Sequence, residues 1–336
     1  MATTTATMEP EPIPLRTLTV LLNYERVISD PRFKNYRLTR SSISDPSLID
    51  RTKASNPSEF AKLPKSIERT SITLFQTYDE PTSTEPPPTV CQIHPNAFLD
   101  AHALTDAQRE LLYYQTRGHD GCYKAIGLYQ LFFDLYGLEN KISVQIKDEE
   151  PLILDLATRM NLEFKIRGPK LHTITAFSGK ELSLLNGSKE DECHVVGVFE
   201  CNQDKNKWIV VDMSRMQYGE AGRGLFGENY FLGTLTQFRE SMKKICGEAI
   251  VGALVHPTLV LGGNVENELR LRTCAKRAWE RWQNREKEGW CAFCGKPGRD
   301  LQKCSACRNK KIFYCCKAHQ KSDWKLHKHT CERNQK

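Results

Sequence analysis

GWCAFCGKPGRDLQKCSACRNKKIFYCCKAHQKSDWKLHKHTC, residues 289–331, gathers seven of the chain's 13 cysteines and three of its nine histidines. Two C-x2-C pairs, Cys291/Cys294 and Cys304/Cys307, are followed by Cys315 with His319 and by His327 with Cys331. C-x2-C is a tight knuckle that lets two thiolates meet one tetrahedral ion. Residues four apart share one face of a helical turn, so each later pair can close on an ion as well. Eight soft or borderline ligands without a carboxylate favour two closed structural Zn2+ sites over a catalytic one, which keeps a coordination position open. A stretch of roughly 45 residues is too small to fold on apolar burial alone, so metal ligation supplies much of its folding energy.

The arrangement resembles the MYND-type zinc finger. The family steps are matched by Tyr314-Cys315, His319-Gln320, Asp323-Trp324, His327-Lys328 and Cys331. The resemblance implies interleaved sites, one of Cys291, Cys294, Cys315 and His319, the other of Cys304, Cys307, His327 and Cys331. Three departures stand out. His319 replaces a usual Cys, an acceptable swap because imidazole also binds zinc. Cys316 follows Cys315, so either thiolate can serve, and the family register takes Cys315. Asp323 replaces the His before Trp324, which is not a usual ligand. MYND-like modules mostly contact other proteins, often through short proline-containing peptides. Gln320 and Trp324 match the positions at that groove; alternatively, Trp324 packs the small core and Gln320 is solvated.

Charge and cysteine usage separate the finger from the rest. The net charge of +7 conceals 19 Lys+Arg against 8 Asp+Glu in residues 265–336, and 29 against 33 before them. A mildly acidic body with a basic tail is a poor candidate for nucleic-acid binding along the whole chain. No recognition helix or stacking aromatic series accompanies the tail's charge, so no specific nucleic acid is expected. Clustered cysteines point to metal in a reducing compartment, cytoplasmic or nuclear, and away from a secreted disulfide framework. MATTTATMEPEPIPL shows no secretory signal, and the most apolar window, 249–261, is too short to span a bilayer. Protein partners are expected, without a membrane.

Upstream of the finger the chain reads as an α+β body. Residues 1–14 are expected to form a disordered tail, 15–263 the body, 264–288 a basic connector helix capped by Asn264, and 289–336 the finger. DEPTSTEPPPTV, 79–90, predicts an exposed loop or linker. Tyr123–Tyr136 predicts a helix stopped by Gly137, Lys141–Ile146 a strand, and Pro151–Met160 another helix. His194–Phe199 and Trp208–Asp212 predict a hairpin. In the connector, Leu271, Ala275, Ala278 and Trp282 form one stripe; its charge predicts a solvated connector, with docking of the stripe on either domain as the alternative.

RGHDGCYKAIGLYQLFFDLYGL places Cys122 after Gly121 at a helix N-terminus, where free N–H groups favour thiolate. With the hairpin centred on Gln203, His194 faces Asp212, Val196 faces Val210 and Val198 faces Trp208, all on one sheet face. An Asp beside a His fixes its tautomer, and that His can activate a thiol. The order Cys122, His194, Asp212, with a Trp shortly before the Asp, resembles the transglutaminase-like superfamily, related to papain-like proteases and arylamine acetyltransferases. That resemblance implies a transglutaminase/papain-like body and a thiol enzyme for acyl transfer or amide hydrolysis, with Cys122 as nucleophile, His194 as base and Asp212 as orienter. The plainer alternative is a buried structural Cys, a strand-end His and a solvated Asp.

Two further signals carry less. GRGLFG, 222–227, matches G-x-G-x-x-G, but residues 228–233 separate it from the next predicted helix, Thr236–Ile245, so a surface loop is expected. The Asn-His-Ser-Cys step of SET methyltransferases, which also carry such fingers, is missing from the sequence. The leading expectation is a zinc-dependent interaction protein with a regulatory role; the thiol enzyme is the competing one.

Overall fold

The computed structural model describes residues 11–334 apart from 35, 78–103, 120, 147–150, 180–182, 202 and 257–264. The predicted 79–90 loop, most of the predicted tail and the proposed cap Asn264 lie outside the described residues. At residues 13–14 the tail expectation is corrected. Ile13 and Pro14 form strand β1 (Ile13–Pro14), which pairs in parallel with β4 (Lys141–Val144), and β4 pairs with β5 (Leu152–Asp155). Ile13 is buried, so apolar burial orders the chain before Leu15.

The central element is a five-stranded antiparallel sheet in the order β11 (Phe231–Thr234), β10 (Ile209–Asp212), β9 (Asp191–Phe199), β6 (Arg159–Pro169) and β12 (Cys246–Val255). Its residues alternate between two cores, as strand pleating requires. Val196, Val198, Trp208 and Val210 pack with Phe238 and Leu235 of helix α6 (Leu235–Met242). Val195, Phe199, Ile209 and Val211 face the other way, toward α1 (Leu15–Ile28), α5 (Cys122–Tyr136) and α7 (Val265–Gln283). A second sheet, β2 (Tyr36–Ser41), β3 (Arg69–Thr77), β7 (Leu171–Phe177) and β8 (Ser183–Asn186), is entered directly from β6 across Lys170. Its Phe33–Phe75–Phe177 cluster packs with Leu112 of α4 (Asp106–Gly118). Short helices α2 (Ser47–Ser55) and α3 (Pro57–Ala61) lie between β2 and β3.

Three expectations need correction. Residues 151–160 are not helical: β5, a 3-10 turn at Leu156–Thr158 and the start of β6 occupy them. Leu154 and Leu156 are buried while Leu152 and Ile153 are exposed, and pairing with β4 decides the local structure. The helix before the finger is not a solvated connector. Leu271, Cys274, Ala275, Ala278 and Trp282 of α7 belong to the main core, and Trp279 stacks edge-on to Phe132 of α5 at 5.9 Å. Small residues in the stripe let the helix approach closely, and most of its charges occupy the opposite face, Arg281 being buried. The hairpin register also differs. Val198 pairs with Val210 and Phe199 with Ile209, so the turn is centred on Asp204 and His194 stands diagonal to Asp212. Asp204 caps a 3-10 turn at Lys205–Lys207 that lengthens the loop.

Candidate functional site

Two groups of chemistry-bearing residues emerge. The first forms where α5 begins. Gly121 closes a tight turn, its N–H donating to the Gly118 carbonyl at 3.0 Å. A Cβ at Gly121 would lie 2.6 Å from that carbonyl oxygen and 3.0 Å from the Arg26 guanidinium, so only glycine fits. Cys122 follows as the first residue of α5, 9% exposed. His194 Nε2 lies 2.6 Å from Asp212 Oδ2, and the Cys122 side chain is within hydrogen-bonding reach of the same ring. The structure therefore brings Cys122, His194 and Asp212 together despite the altered register. A shift of one residue on each strand preserves which face the side chains occupy.

Asp212 is the fixed anion of this centre. Burial would raise its pKa, but His194, Arg215 and the Ser214 hydroxyl outweigh burial and hold it below the usual carboxylate range. Its other oxygen accepts from the Ser214 N–H at 2.9 Å and from the Ser214 hydroxyl at 2.8 Å. Burial would lower the His194 pKa; the Asp212 charge and the Cys122 contact raise it instead, to about 10. An ionised Asp212 only accepts, so Nε2 carries hydrogen. Gln217 Nε2 stands 3.2 Å from Nδ1, and an amide can serve either protonation state of that nitrogen by presenting either end. Arg26 of α1 ties the surroundings together by donating to the Met213 carbonyl and the Arg117 carbonyl, each at 3.1 Å. Sequence reasoning missed Gln217, Ser214 and Arg26. Only the short spacing of Ser214 and Gln217 from Asp212 offered a signal.

The second group is the finger. Cys291, Cys294, Cys315 and His319 form one cluster, and Cys304, Cys307, His327 and Cys331 the other; within each, all ligand atoms lie within 4.8 Å of one another. Cys294 and Cys315 sulfurs are 3.8 Å apart and those of Cys307 and Cys331 3.7 Å. A tetrahedron with Zn–S bonds of roughly 2.3 Å has edges near these values. His327 Nε2 lies 3.3 Å from Cys304 and 3.4 Å from Cys307. The two Cys3His sets fit two Zn2+ ions. Cys315, not Cys316, lies in the first cluster; Cys316 occupies the cap position of helix α8 (Lys317–Thr330). A short hairpin, β13 (Gln302–Lys303) with β14 (Phe313–Tyr314), links the knuckles.

A family model for the MYND finger matches residues 291–331. This segment is a MYND finger. Over 43 residues the chain is 51% identical to Egl nine homolog 1 of Homo sapiens, and 49% identical to Egl nine homolog 1 of Mus musculus. Each match takes 13% of this chain, and 9% and 10% of the respective relative, so the chain spans about a tenth of the length of the curated relatives it matches. No solved structure matches the chain, so no neighbour supports a transglutaminase/papain-like architecture for the body.

The MYND finger is docked on the body. Asp323, 1% exposed, accepts from the Tyr314 hydroxyl at 2.6 Å and pairs with Arg16 of α1, whose Nε donates to the Tyr230 hydroxyl at 3.1 Å. Arg281 of α7 joins Glu25 at 2.9 Å and also donates to the Gly295 carbonyl. Gly295, at φ +82°, lies so close to α1 that a Cβ would stand 2.7 Å from both Tyr24 Cβ and the Val20 carbonyl oxygen. On α8, Trp324 is 42% exposed and Gln320 half-buried, one helical turn apart. Among the described residues, no helix is long and apolar enough to cross a membrane.

Proposed function

We propose that this chain is a protein-interaction protein that presents its zinc-bound MYND finger in a set orientation, receiving short proline-containing peptides on the Gln320/Trp324 face of α8. The exposure of Trp324 carries this reading. A large aromatic ring left open on a metal-braced helix is the kind of anchor that dominates peptide binding. The ring also contacts the ligand His327, with centroids 5.9 Å apart, which holds it in place. Replacing Trp324 by Ala is expected to weaken capture of a proline-containing peptide selected from a library by about 10–100-fold, corresponding to the usual cost of a hot-spot aromatic. Zinc content and melting temperature should stay unchanged. Equal binding by Trp324→Ala would reject this face.

A second reading is favoured by the juxtaposition of Cys122, His194 and Asp212: a thiol centre for acyl transfer or amide hydrolysis. His194 takes the Cys122 proton, Asp212 stabilises the imidazolium, and the sulfur attacks an acyl carbon. The leaving amine then takes the proton from His194, and water or another amine cleaves the thioester. Cys193 and Cys246 provide internal controls, because burial pushes both thiols up to about 11 and keeps them protonated at neutral pH. Iodoacetamide at pH 7 should therefore label Cys122 at least about tenfold faster than either, with His194→Ala abolishing the difference. Labelling of Cys122 no faster than of Cys193 would remove the enzyme reading.

A further inference from the structure

We propose that Glu110, on α4 of the body, is an outer partner of the first zinc site, orienting His319 so that body and finger share one metal centre. This goes beyond peptide capture and thiol chemistry and depends on neither. His319 stands where the family usually has Cys. A thiolate offers a zinc one atom and has no N–H to donate elsewhere, whereas imidazole has a second nitrogen. His319 uses both. Nδ1 faces the cluster, 3.0 Å from Cys315 and 3.6 Å from Cys291, while Nε2 points out of the finger to Glu110 Oε1 at 3.4 Å. A metal-binding His that donates its other N–H to a carboxylate has its tautomer and ring plane fixed, and removing such a partner costs about 10–100-fold in metal affinity.

Glu110 is itself held in place. The same Oε1 accepts from Asn229 Nδ2 at 2.8 Å, and Asn229 is braced by Arg223 at 2.5 Å and by Asn23 of α1, which donates to its carbonyl at 3.3 Å. The ring plane of His319 is further supported by Phe293, with centroids 4.8 Å apart. The other substituted family position, Asp323, also touches the body, through Arg16. Both substituted family positions thus lie at the same seam. Glu110, the fifth residue of α4, has no role in that helix's own capping, which Thr105 and Gln108 supply.

The test is zinc transfer from the full chain to a chromophoric chelator, resolving the two ions kinetically. Glu110→Ala should release one zinc about 10–100-fold faster and leave the other at the wild-type rate. Glu110→Gln, which keeps an acceptor oxygen and the shape but loses the charge, should fall between the two and guards against a folding artefact. In a His319→Cys background, which removes the second nitrogen, Glu110→Ala should change neither rate. Wild-type release of both ions from Glu110→Ala would overturn the proposal. So would equal acceleration of both ions, or a His319→Cys chain that stays sensitive to Glu110→Ala, since either would place the effect in general folding and not in His319.

Discussion

Stripping both zinc ions from the full chain should unfold residues 291–331 as a unit and lower the melting temperature of the body with them. Metal analysis of the purified chain should first return two zinc ions per chain. The finger's buried apolar side chains are few, Phe293, Tyr314 and the cysteines themselves, with Leu301 and Ile312 partly buried against them. Structural zinc supplies about 10–16 kcal/mol in finger-sized peptides, far more than a core of this size can replace. The effect reaches the body because the seam is made of buried charge. Without the finger, Arg16 loses Asp323, and Arg281 loses the Gly295 carbonyl. Hydrogen exchange before and after chelation reads both parts, with protection vanishing across 291–331 and weakening along α1. A chain that holds fewer than two zincs, or keeps its protection when stripped, would reject the ligand assignment.

Replacing Asp212 by Ala should cost about 3–5 kcal/mol, the usual penalty for leaving a buried charge without its partner. Asp212 Oδ2 lies 2.6 Å from His194 Nε2, and the carboxylate lies within the field of the buried Arg215 and Arg26. The loss should depend on pH in a defined direction. His194 is raised in the folded state to about 10, against roughly 6.5 when unfolded. Its contribution is therefore complete below about pH 6.5 and fades as pH rises toward 10. Asp212 is depressed, so its contribution is present above roughly pH 4 and is lost as pH falls through the folded value. Urea unfolding should show the largest gap between wild type and Asp212→Ala near pH 5–6, narrowing toward pH 10. A gap that stays flat over that range would mean that the His194–Asp212 pair contributes no linked stability.

The zinc ligands were legible because metal geometry is local: knuckles and four-residue spacings fit an ion wherever the segment sits. Cys122 was legible for a similar reason, since Gly121 and the apolar helix after it mark an N-terminus. His194 and Asp212 survived a wrong register because strand alternation has a period of two. The failures came from tertiary contacts. Residues 151–160 carry leucines at spacings that suit either a helix or a strand, and only β4 settles the choice. The stripe on α7 was visible, but the helix's basic composition outweighed it, and only the packing of α1 and α5 shows that the stripe is core. Glu110 and Arg16 could not be found at all, because each meets the finger across roughly two hundred residues or more of intervening chain. The two substitutions His319 and Asp323 were visible as oddities, but only the body shows what they touch.

Gly295 gives this arrangement a consequence for valency. Where a finger hangs on a flexible linker, a partner bound to it explores a volume, and its local concentration at a second site falls as the linker lengthens. Here the backbone of the finger lies against α1 without room for a single added carbon, and α7 leads into it as part of the core. The span from the Trp324 face to the start of α5 is then a constant of the fold, a ruler and not a tether. A partner that engaged both proposed sites would gain avidity only if its own two contact points matched that span, which would make length a criterion of selection alongside chemistry.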